Sequence, residues 1–533
     1  MSKRYHTPVL IIGAGLAGGI AALRLADQGI PVTVLAASTE PDNGNSWQAQ
    51  GGIIYRSLDR DDAKKLEKDI FIAGHNYNNP DAVRFLCDYG PQAVEEMLVQ
   101  RLGIPFDRIE NTEGVFSNTD WDLTREGGHS TQRIIHCADH TGRSIMDYLL
   151  AEIKANPRIT YLENHTAIDL LTSLHHAKDM RYHYDLYNKC CGAYVYNEAT
   201  EEIITFLADV TVIATGGVGQ VFLHSTNAPS AVGSGVAMAS RAFVRLENME
   251  FMQFHPTTFF QPDRPSFLIT EALRGEGALL FNAAGDRFMP GYDERAELAP
   301  RDVVSRAIVH EMLRTGDPCV YLDARKVQHD LQKRFPTVFT ACLERGIDIR
   351  KQLIPVVPAA HYFCGGVLTN LNGETSLEGL YCAGESSCTG LHGANRLAST
   401  SLLEALLFGK TVGDHIAHKM HKEGLSTDKA MLDAIRDWEN TGADKNDDPA
   451  LIAQDWNSIR TVMWNYVGIT RTTSRLDRAF AELRDLSRNV HSFYKNTAMS
   501  KPLIDLFHGC QTAYLITQAA QRNRKSIGCH YRI

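Results

Sequence analysis

The chain has 533 residues, enough for three or four structural units sharing at least one large core. Its residues are 44% hydrophobic, 22% charged and 8% aromatic, which excludes a disordered or collagen-like chain. The 54 Lys plus Arg against 63 Asp plus Glu leave a net charge of −9, the wrong sign for bulk attraction to nucleic acid or an anionic membrane. An anionic ligand must therefore meet locally placed cations. The 11 cysteines are dispersed apart from Cys190-Cys191 and read as small core residues of a protein in a reducing cytoplasm.

The first chemical signal lies near the start. Val9 to Ile12 is a β-branched run suited to a strand buried on both faces, and Gly13-Ala14-Gly15-Leu16-Ala17-Gly18 follows at once. Leu16, Ile20 and Leu23 then share a helical face, Gly29 closes the helix, and Val32 to Leu35 completes a βαβ unit. Glycines here let the backbone approach a pyrophosphate, whose charge meets the free N–H groups of the helix N-terminus. The second strand ends in Ala36-Ala37-Ser38, with no acid for a ribose. The uncharged stretch Pro8 to Leu23 is too short and too rich in glycine for a membrane helix.

Further along come Asn45-Ser46-Trp47-Gln48-Ala49-Gln50-Gly51-Gly52 and a β-hairpin, Ala193 to Tyr196 turning through Asn197 to Thr200 into Ile203 to Phe206. Val210 to Ile213, leading into Gly216-Gly217, and Leu380 to Ala383, leading into Gly384-Glu385, read as strands returning to the nucleotide-binding sheet, which makes that domain discontinuous. Pro300 reads as the first residue of a helix through Val303, Val304, Ala307, Ile308 and Met312. That puts Arg301 in the first turn, where the dipole disfavours a cation, so its placement suggests function over stability. Ser399-Thr400-Ser401 supplies cap-type residues for a helix beginning after Arg396 and running through Leu402, Leu403 and Leu406. Its N-terminus would stabilise negative charge on a bound cofactor. His129, His136 and His140 lack the ligand spacing of a metal centre, and no metal is expected.

Ala49-Gln50-Gly51-Gly52, Gln253-Phe254-His255-Pro256-Thr257, Thr270-Glu271-Ala272-Leu273-Arg274-Gly275-Glu276-Gly277, Pro300-Arg301-Asp302, His361-Tyr362 with Gly365-Gly366, and Gly393-Ala394-Asn395-Arg396 stand in this order along nearly the whole chain. In these blocks the sequence resembles the flavoprotein superfamily of succinate dehydrogenase, fumarate reductase and L-aspartate oxidase, and Leu123 to Ser130 resembles the L-aspartate oxidase branch. The resemblance implies non-covalent FAD, because Asn45 stands where the membrane-complex dehydrogenases carry a flavin-linked histidine. It also implies that the Gly13 to Gly18 and Asn45 to Gly52 segments, Glu385, Ser401 and Leu402 meet the FAD. For the substrate, it implies that Arg396 and His361 hold one carboxylate, His255 and Thr270 the other, and Glu126 an ammonium. Arg301 is implied in proton transfer, a role that an arginine performs only with a depressed pKa or as an electrostatic clamp. A dicarboxylate brought inside a protein needs such cations and donors at both ends to offset desolvation.

The implied reaction is hydride transfer from Cα of L-aspartate to flavin N5, giving iminoaspartate, with O2 (yielding H2O2) or fumarate (yielding succinate) as electron acceptor. This is the first step of NAD biosynthesis, and the unstable imine would pass to quinolinate synthase. No nucleic acid or membrane partner is implied, and the expected state is a monomer or weak homo-oligomer. Two alternatives are a flavoprotein subunit of a succinate or fumarate respiratory complex, against which Asn45 and Glu126 argue, and a non-catalytic FAD-binding protein. Ala37, Ser234 and Ile527 depart from the branch's usual lysine, aspartate and arginine, which bears on FAD affinity more than on reaction type, and Gly528 to Ile533 ends abruptly beside the branch's pattern, an end that bears on stability or association. The expected plan is a discontinuous α/β, Rossmann-like FAD-binding domain over 1–248 and 362–425, an α+β capping domain over 249–361 that brings His255, Thr270 and Arg301 over the flavin, and a helical domain over 426–533. The last boundary is marked by Glu423-Gly424-Leu425-Ser426 and by polar residues 440–448.

Overall fold

The computed structural model describes residues 3–40, 43–59, 61–109, 120–262, 266–439, 442, 444–446 and 448–533. Parts of the polar 440–448 boundary lie outside them. A seven-stranded sheet runs in the order Ile159–Leu162, Val32–Leu35, Arg4–Ile12, Glu202–Ile213, Cys190–Asn197, His165–Thr172, and Leu380–Cys382 pairs alongside the end of Glu202–Ile213. Strands Ile159–Leu162, Val32–Leu35, Arg4–Ile12, Glu202–Ile213 and Leu380–Cys382 are mutually parallel, as a crossover built on helices requires. Successive residues of Arg4–Ile12 alternate between two cores. Val9 and Ile11 join the helix Leu16–Asp27 through Leu16 and Ile20, while Leu10 and Ile12 join Met238 and Ala239 of helix Ser234–Arg241. Burial on both faces is what the unbroken apolar run predicts.

One reading is corrected. The second hairpin arm and the Val210 run form one continuous strand of 12 residues, Glu202–Ile213. Arg4–Ile12 accompanies it from Thr205 to Ile213. Asp209, the polar residue that interrupts the pattern, stays at the strand because its Oδ1 accepts the Thr427 N–H at 2.8 Å.

A second, antiparallel sheet of four strands runs Met252–Phe259, Ile354–Phe363, Val320–Asp323, Leu279–Phe281. It shares a core with helix Arg301–Thr315, built from Phe259, Leu280, Ile308, Leu322 and Ile354. Pro300 is the cap preceding that helix and not its first residue, and Arg301 opens it. Helices Pro449–Val467, Thr473–Asn496 and Lys501–Arg522 pack together through Ile459, Met463, Leu476, Leu483, Cys510 and Ile516. Phe254 and Met252 belong to the same core, so these helices buttress the strand that carries Gln253 and His255. All 11 cysteines are buried and unpaired. Among the described residues no helix is long and apolar enough to cross a membrane. The architecture is an α/β Rossmann-like unit interrupted in sequence by an α+β unit and followed by helices.

Candidate active site

A cavity of about 1170 Å³ opens where the parallel strands end. Gly13, Ala36, Ala214 and Ala383, each at the carboxyl end of a parallel strand, line it, the place where open α/β sheets bind ligands. Gly13, Ala14, Gly15, Leu16 and Ala17, all of Asn45 to Gly52, and Glu126, His255, Thr270, Arg301, His361, Glu385, Arg396, Ser401 and Leu402 line the same cavity. Gly18 does not. It lies under the loop, where a Cβ would fall 2.1 Å from Gly13 O and 3.2 Å from Ala214 Cβ, so this glycine lets the helix sit against the strand instead of meeting a ligand.

The glycine end is built to take an extended anion. Helix Leu16–Asp27 begins at the cavity with no side-chain cap on its cap residue Gly15. Its Leu16 N–H donates to Ser46 Oγ at 3.2 Å. Asn45 is fixed at both ends of its amide: Nδ2 donates to Glu385 Oε2 at 3.1 Å and Oδ1 accepts from the Ala228 N–H at 2.8 Å. Glu385 Oε1 accepts the Phe363 N–H at 2.9 Å, and burial pushes its carboxyl up to about 7. Gln50 Oε1 is buried without a partner. An orphan acceptor beside uncapped helical N–H groups and a carboxyl near neutrality fits a dinucleotide with hydroxyl donors and a pyrophosphate.

At the other end, two sheets and two helix starts converge. Gln253 and His255 come from strand Met252–Phe259, His361 from Ile354–Phe363, Arg301 from the first residue of its helix, and Arg396 from the turn before helix Thr400–His418. Gln253, fully buried, is the hub. Its Oε1 accepts from Arg301 Nη1 at 3.0 Å and Arg396 Nη2 at 3.2 Å, and its Nε2 donates to Asn395 Oδ1 and Arg396 O, both at 2.7 Å. Arg396 Nη1 donates to Ser401 Oγ at 3.1 Å, its guanidinium lies 4.5 Å over the Tyr362 ring, and its Nε is buried without a partner. Arg301 Nε donates to Glu271 Oε2 at 2.5 Å, and Arg274 Nη2 lies 3.5 Å from Glu271 Oε1.

Burial sets the charge states. The Arg396 guanidinium is held down to about 10 by burial and by its neighbour Arg301. Burial alone would raise Glu271, but Arg301 and Arg274 outweigh it and hold the carboxyl at about 2. The rings of His255 and His361 lie 5.0 Å apart; burial first, then the arginines, push both well below the ordinary range, so they are neutral donors. His255 Nδ1 lies 3.2 Å from both the backbone N and the backbone O of Thr257. His361 Nδ1 lies 2.8 Å from Thr226 Oγ1. Glu126 is raised by burial and by Glu271, and Ser399 Oγ donates to its Oε2 at 2.7 Å. Gly51, with no side chain, leaves room for Oε1, since a Cβ would lie 2.7 Å from it.

One reading changes here, that of Ser399. Ser399 holds the helix cap position, but with φ at 56° and its hydroxyl spent on Glu126 it caps nothing. The three histidines are scattered. His129 is buried between Arg133 and Ala398 O, His136 faces Asp107, and His140 is half-buried at the cavity wall. Gln253, Glu271, Arg274 and Tyr362 stand within the motifs without a role of their own that the pattern announces; the signal for Gln253 is a neutral amide flanked by motifs contributing two arginines. Tyr362 donates to Glu404 Oε2, which also lies 2.9 Å from His392 Nε2, so a buried carboxylate stands behind the Arg396–Tyr362 stack.

The FAD binding domain family matches residues 8–402, and the fumarate reductase flavoprotein C-terminal family matches residues 456–533. The L-aspartate oxidase of Pseudomonas aeruginosa is 42% identical, over 100% of this chain and 96% of its own length. The chloroplastic L-aspartate oxidase of Arabidopsis thaliana is 38% identical over 99% of this chain and 81% of its own. Among solved structures, a quinol fumarate reductase of E. coli superposes with a TM-score of 0.85 at 27% identity, covering 100% of this chain and 92% of that one. Mycobacterium smegmatis Sdh1 superposes at 0.79 and 27%, covering 99% and 89%.

Proposed function

The chain belongs to the L-aspartate oxidase family, within the succinate dehydrogenase and fumarate reductase flavoproteins, and from that membership and the chemistry of the cavity we propose that it oxidises L-aspartate with FAD. The observation that carries this reading is Glu126 in one cavity with Arg301, Arg396, His255 and His361. A dicarboxylate alone has no use for a buried carboxylate at that place, whereas an amino dicarboxylate brings an ammonium to meet it. Arg274, Arg301 and Arg396 against Glu126 and Glu271 leave one uncompensated positive charge. L-Aspartate, with two carboxylates and one ammonium, leaves one negative charge.

FAD, when bound, supplies the hydride acceptor, and the uncapped start of helix Leu16–Asp27, Asn45 to Gly52, Gln50 Oε1 and the Glu385 carboxyl are the groups that would hold it without a covalent bond. Asn45, whose amide is tied at both ends, has no nucleophilic atom for such a bond. For the substrate, Arg396 and His361 take one carboxylate and His255 and Thr270 the other. The neutral imidazoles add donors without adding charge. Glu126 Oε1 receives the ammonium and, being raised by burial, is suited to take one of its protons as the imine forms. Arg301 clamps the reacting end through a fork fixed by Glu271 and Gln253. The row Arg301–Glu271–Arg274 also offers a route for the proton that fumarate needs when it is the acceptor.

L-Aspartate is the substrate, and O2 or fumarate accepts the electrons. We assign the same division of the chain as the sequence suggests, residues 249–361 closing over 1–248 and 362–425 with 426–533 as support, together with a cytoplasmic location and a monomer or weak homo-oligomer. The product imine, prone to hydrolysis, calls for a consuming enzyme such as quinolinate synthase. The test is the visible spectrum of FAD-loaded protein under anaerobic conditions. L-Aspartate should bleach it, and air should restore it with release of peroxide. Bleaching by succinate and not by L-aspartate would overturn the reading.

A further inference from the structure

The two arginines of the substrate site are braced from behind by a segment more than 130 positions away in sequence from the nearer of them. Asn395 Oδ1, which accepts from Gln253 Nε2, also accepts from Cys529 Sγ at 3.3 Å. The Cys529 N–H donates to Ala394 O at 2.9 Å. Ile527 and His530 exchange two backbone hydrogen bonds of 2.9 Å, forming a tight turn with Gly528 in the left-handed region, φ 52°. That turn lies on Ala394, since a Cβ on Gly528 would fall 2.4 Å from Ala394 O. Ile527, the departure from the branch's arginine, packs its apolar side chain on the cluster of Phe251, Tyr362, Cys364 and Ala394.

The turn grips a second point. His530 Nδ1 lies 2.6 Å from Nη1 of the wholly buried Arg471, which donates to Glu250 O at 2.8 Å. Asn523 Nδ2 donates to Glu250 Oε1 at 2.7 Å. Glu250 stands two residues before the strand that carries Gln253. Burial pushes the Cys529 thiol up, so it remains a donor.

We propose that residues 527–530 are a positioning element of the substrate site: by holding Ala394–Asn395 on one side and Glu250 on the other, they fix Gln253 and thereby the spacing of the Arg301 and Arg396 guanidiniums that a dicarboxylate bridges. The physical need is plain. Two buried guanidiniums repel each other, and one neutral carbonyl oxygen joins them. A hub amide free to drift would let them part, and the misplacement would be felt as lost affinity. The inference rests on the dicarboxylate reading of the site.

The test uses full-length, FAD-loaded Cys529→Val, Cys529→Ser and Gly528→Ala, titrated with succinate and followed by the flavin spectrum. Valine keeps the volume and removes the donor, serine keeps a donor, and alanine pushes the turn off Ala394. Cys529→Val and Gly528→Ala should raise the succinate Kd about threefold to tenfold, the range of one modest hydrogen bond, with Cys529→Ser within about twofold of the parent. Hydrogen exchange of the 390–402 segment, which needs no ligand, should quicken in the first two variants and not in the third. Parent-like succinate affinity and exchange in Cys529→Val and Gly528→Ala would overturn the proposal, as would a serine variant as impaired as the valine one. Loss of FAD from Cys529→Val and Gly528→Ala alike would make the segment a general prop and overturn it too. A parent enzyme indifferent to succinate would sink the dicarboxylate reading alone, leaving the exchange rates to decide the role of the tail.

Discussion

Ser399 Oγ donates to Glu126 Oε2 at 2.7 Å across 273 positions of sequence, from the residue immediately before helix Thr400–His418. The hydroxyl stabilises the charged form of a carboxyl that burial raises. Removing it should raise Glu126 further, and L-aspartate needs the ionised form. Ser399→Gly tests this without strain, because glycine accepts the positive φ. The acid limb of kcat/KM for L-aspartate should move to higher pH by about one to two units, the worth of a hydrogen bond to a charged group. Above the limb the rate should be nearly unchanged. A limb that stays where it was would remove Glu126 from substrate binding.

Glu126→Gln separates amino-acid from dicarboxylate recognition. The amide is nearly isosteric and keeps an acceptor for Ser399, yet it cannot pair with an ammonium. Loss of one partner from a buried charge pair costs about 2–5 kcal/mol, so kcat/KM for L-aspartate should fall about 30-fold or more. Succinate, with no ammonium, should bind as well as before or better, since a buried negative charge has gone. Equal losses for both ligands, measured by turnover and by spectral titration, would show the residue to be structural.

Stability should fall steeply on mild acidification. His255 and His361 are pushed well below 6.5, His129 to about 4, and His508 and His530 to about 3, burial being the first cause in each. A base whose folded pKa is depressed costs nothing above its unfolded value and destabilises progressively as pH falls below it. Glu385, at about 7, and Glu126 act in the opposite sense, keeping protons that the unfolded chain releases. Because the depressed histidines outnumber the raised carboxyls, the unfolded chain takes up more protons than the folded one as pH falls from roughly 6 to 5, and stability should fall with it. Thermal melts across this range check it, and a flat Tm would refute the neutral assignment of the histidines.

What the sequence made legible was what is local. The Val9 to Leu35 unit declared itself because strand, loop and helix lie within about thirty residues and follow fixed periods. His255, Arg301, His361 and Arg396 were visible as chemistry-bearing residues, but only the fold joins them, through pairings such as His255 with Ala359. The roles of Gln253 and Ser399 were not legible, since their partners lie 48 to 273 positions away. For Ser399 the buried carboxylate outbids the local cap, because an ionised acceptor in a dry site is worth more than a backbone N–H that water could serve. The Ile203 to Phe206 arm and the Val210 to Ile213 run belong to one strand, Glu202–Ile213, in which Asp209 is held by the Thr427 N–H, a partner 218 positions away.

Gly18 offers a prediction in which pattern and geometry disagree about mechanism. The pattern makes it one of three phosphate-loop glycines, whereas the geometry turns it from the cavity and presses it on Gly13 O. Gly18→Ala would gain the better helix former, worth up to about 1 kcal/mol in an exposed helix. The new methyl has no room, however, and the atom in its way is backbone. The helix must lift off strand Arg4–Ile12, an overpacking cost of about 1–3 kcal/mol, and its N-terminus must leave the position from which it meets a pyrophosphate. The variant should therefore lose thermal stability even without cofactor and bind FAD at least about tenfold more weakly by fluorescence titration, at 1.4 kcal/mol per decade. An apo-protein as stable as the parent but unable to hold FAD would mean that Gly18 meets the cofactor directly and that the helix is not displaced.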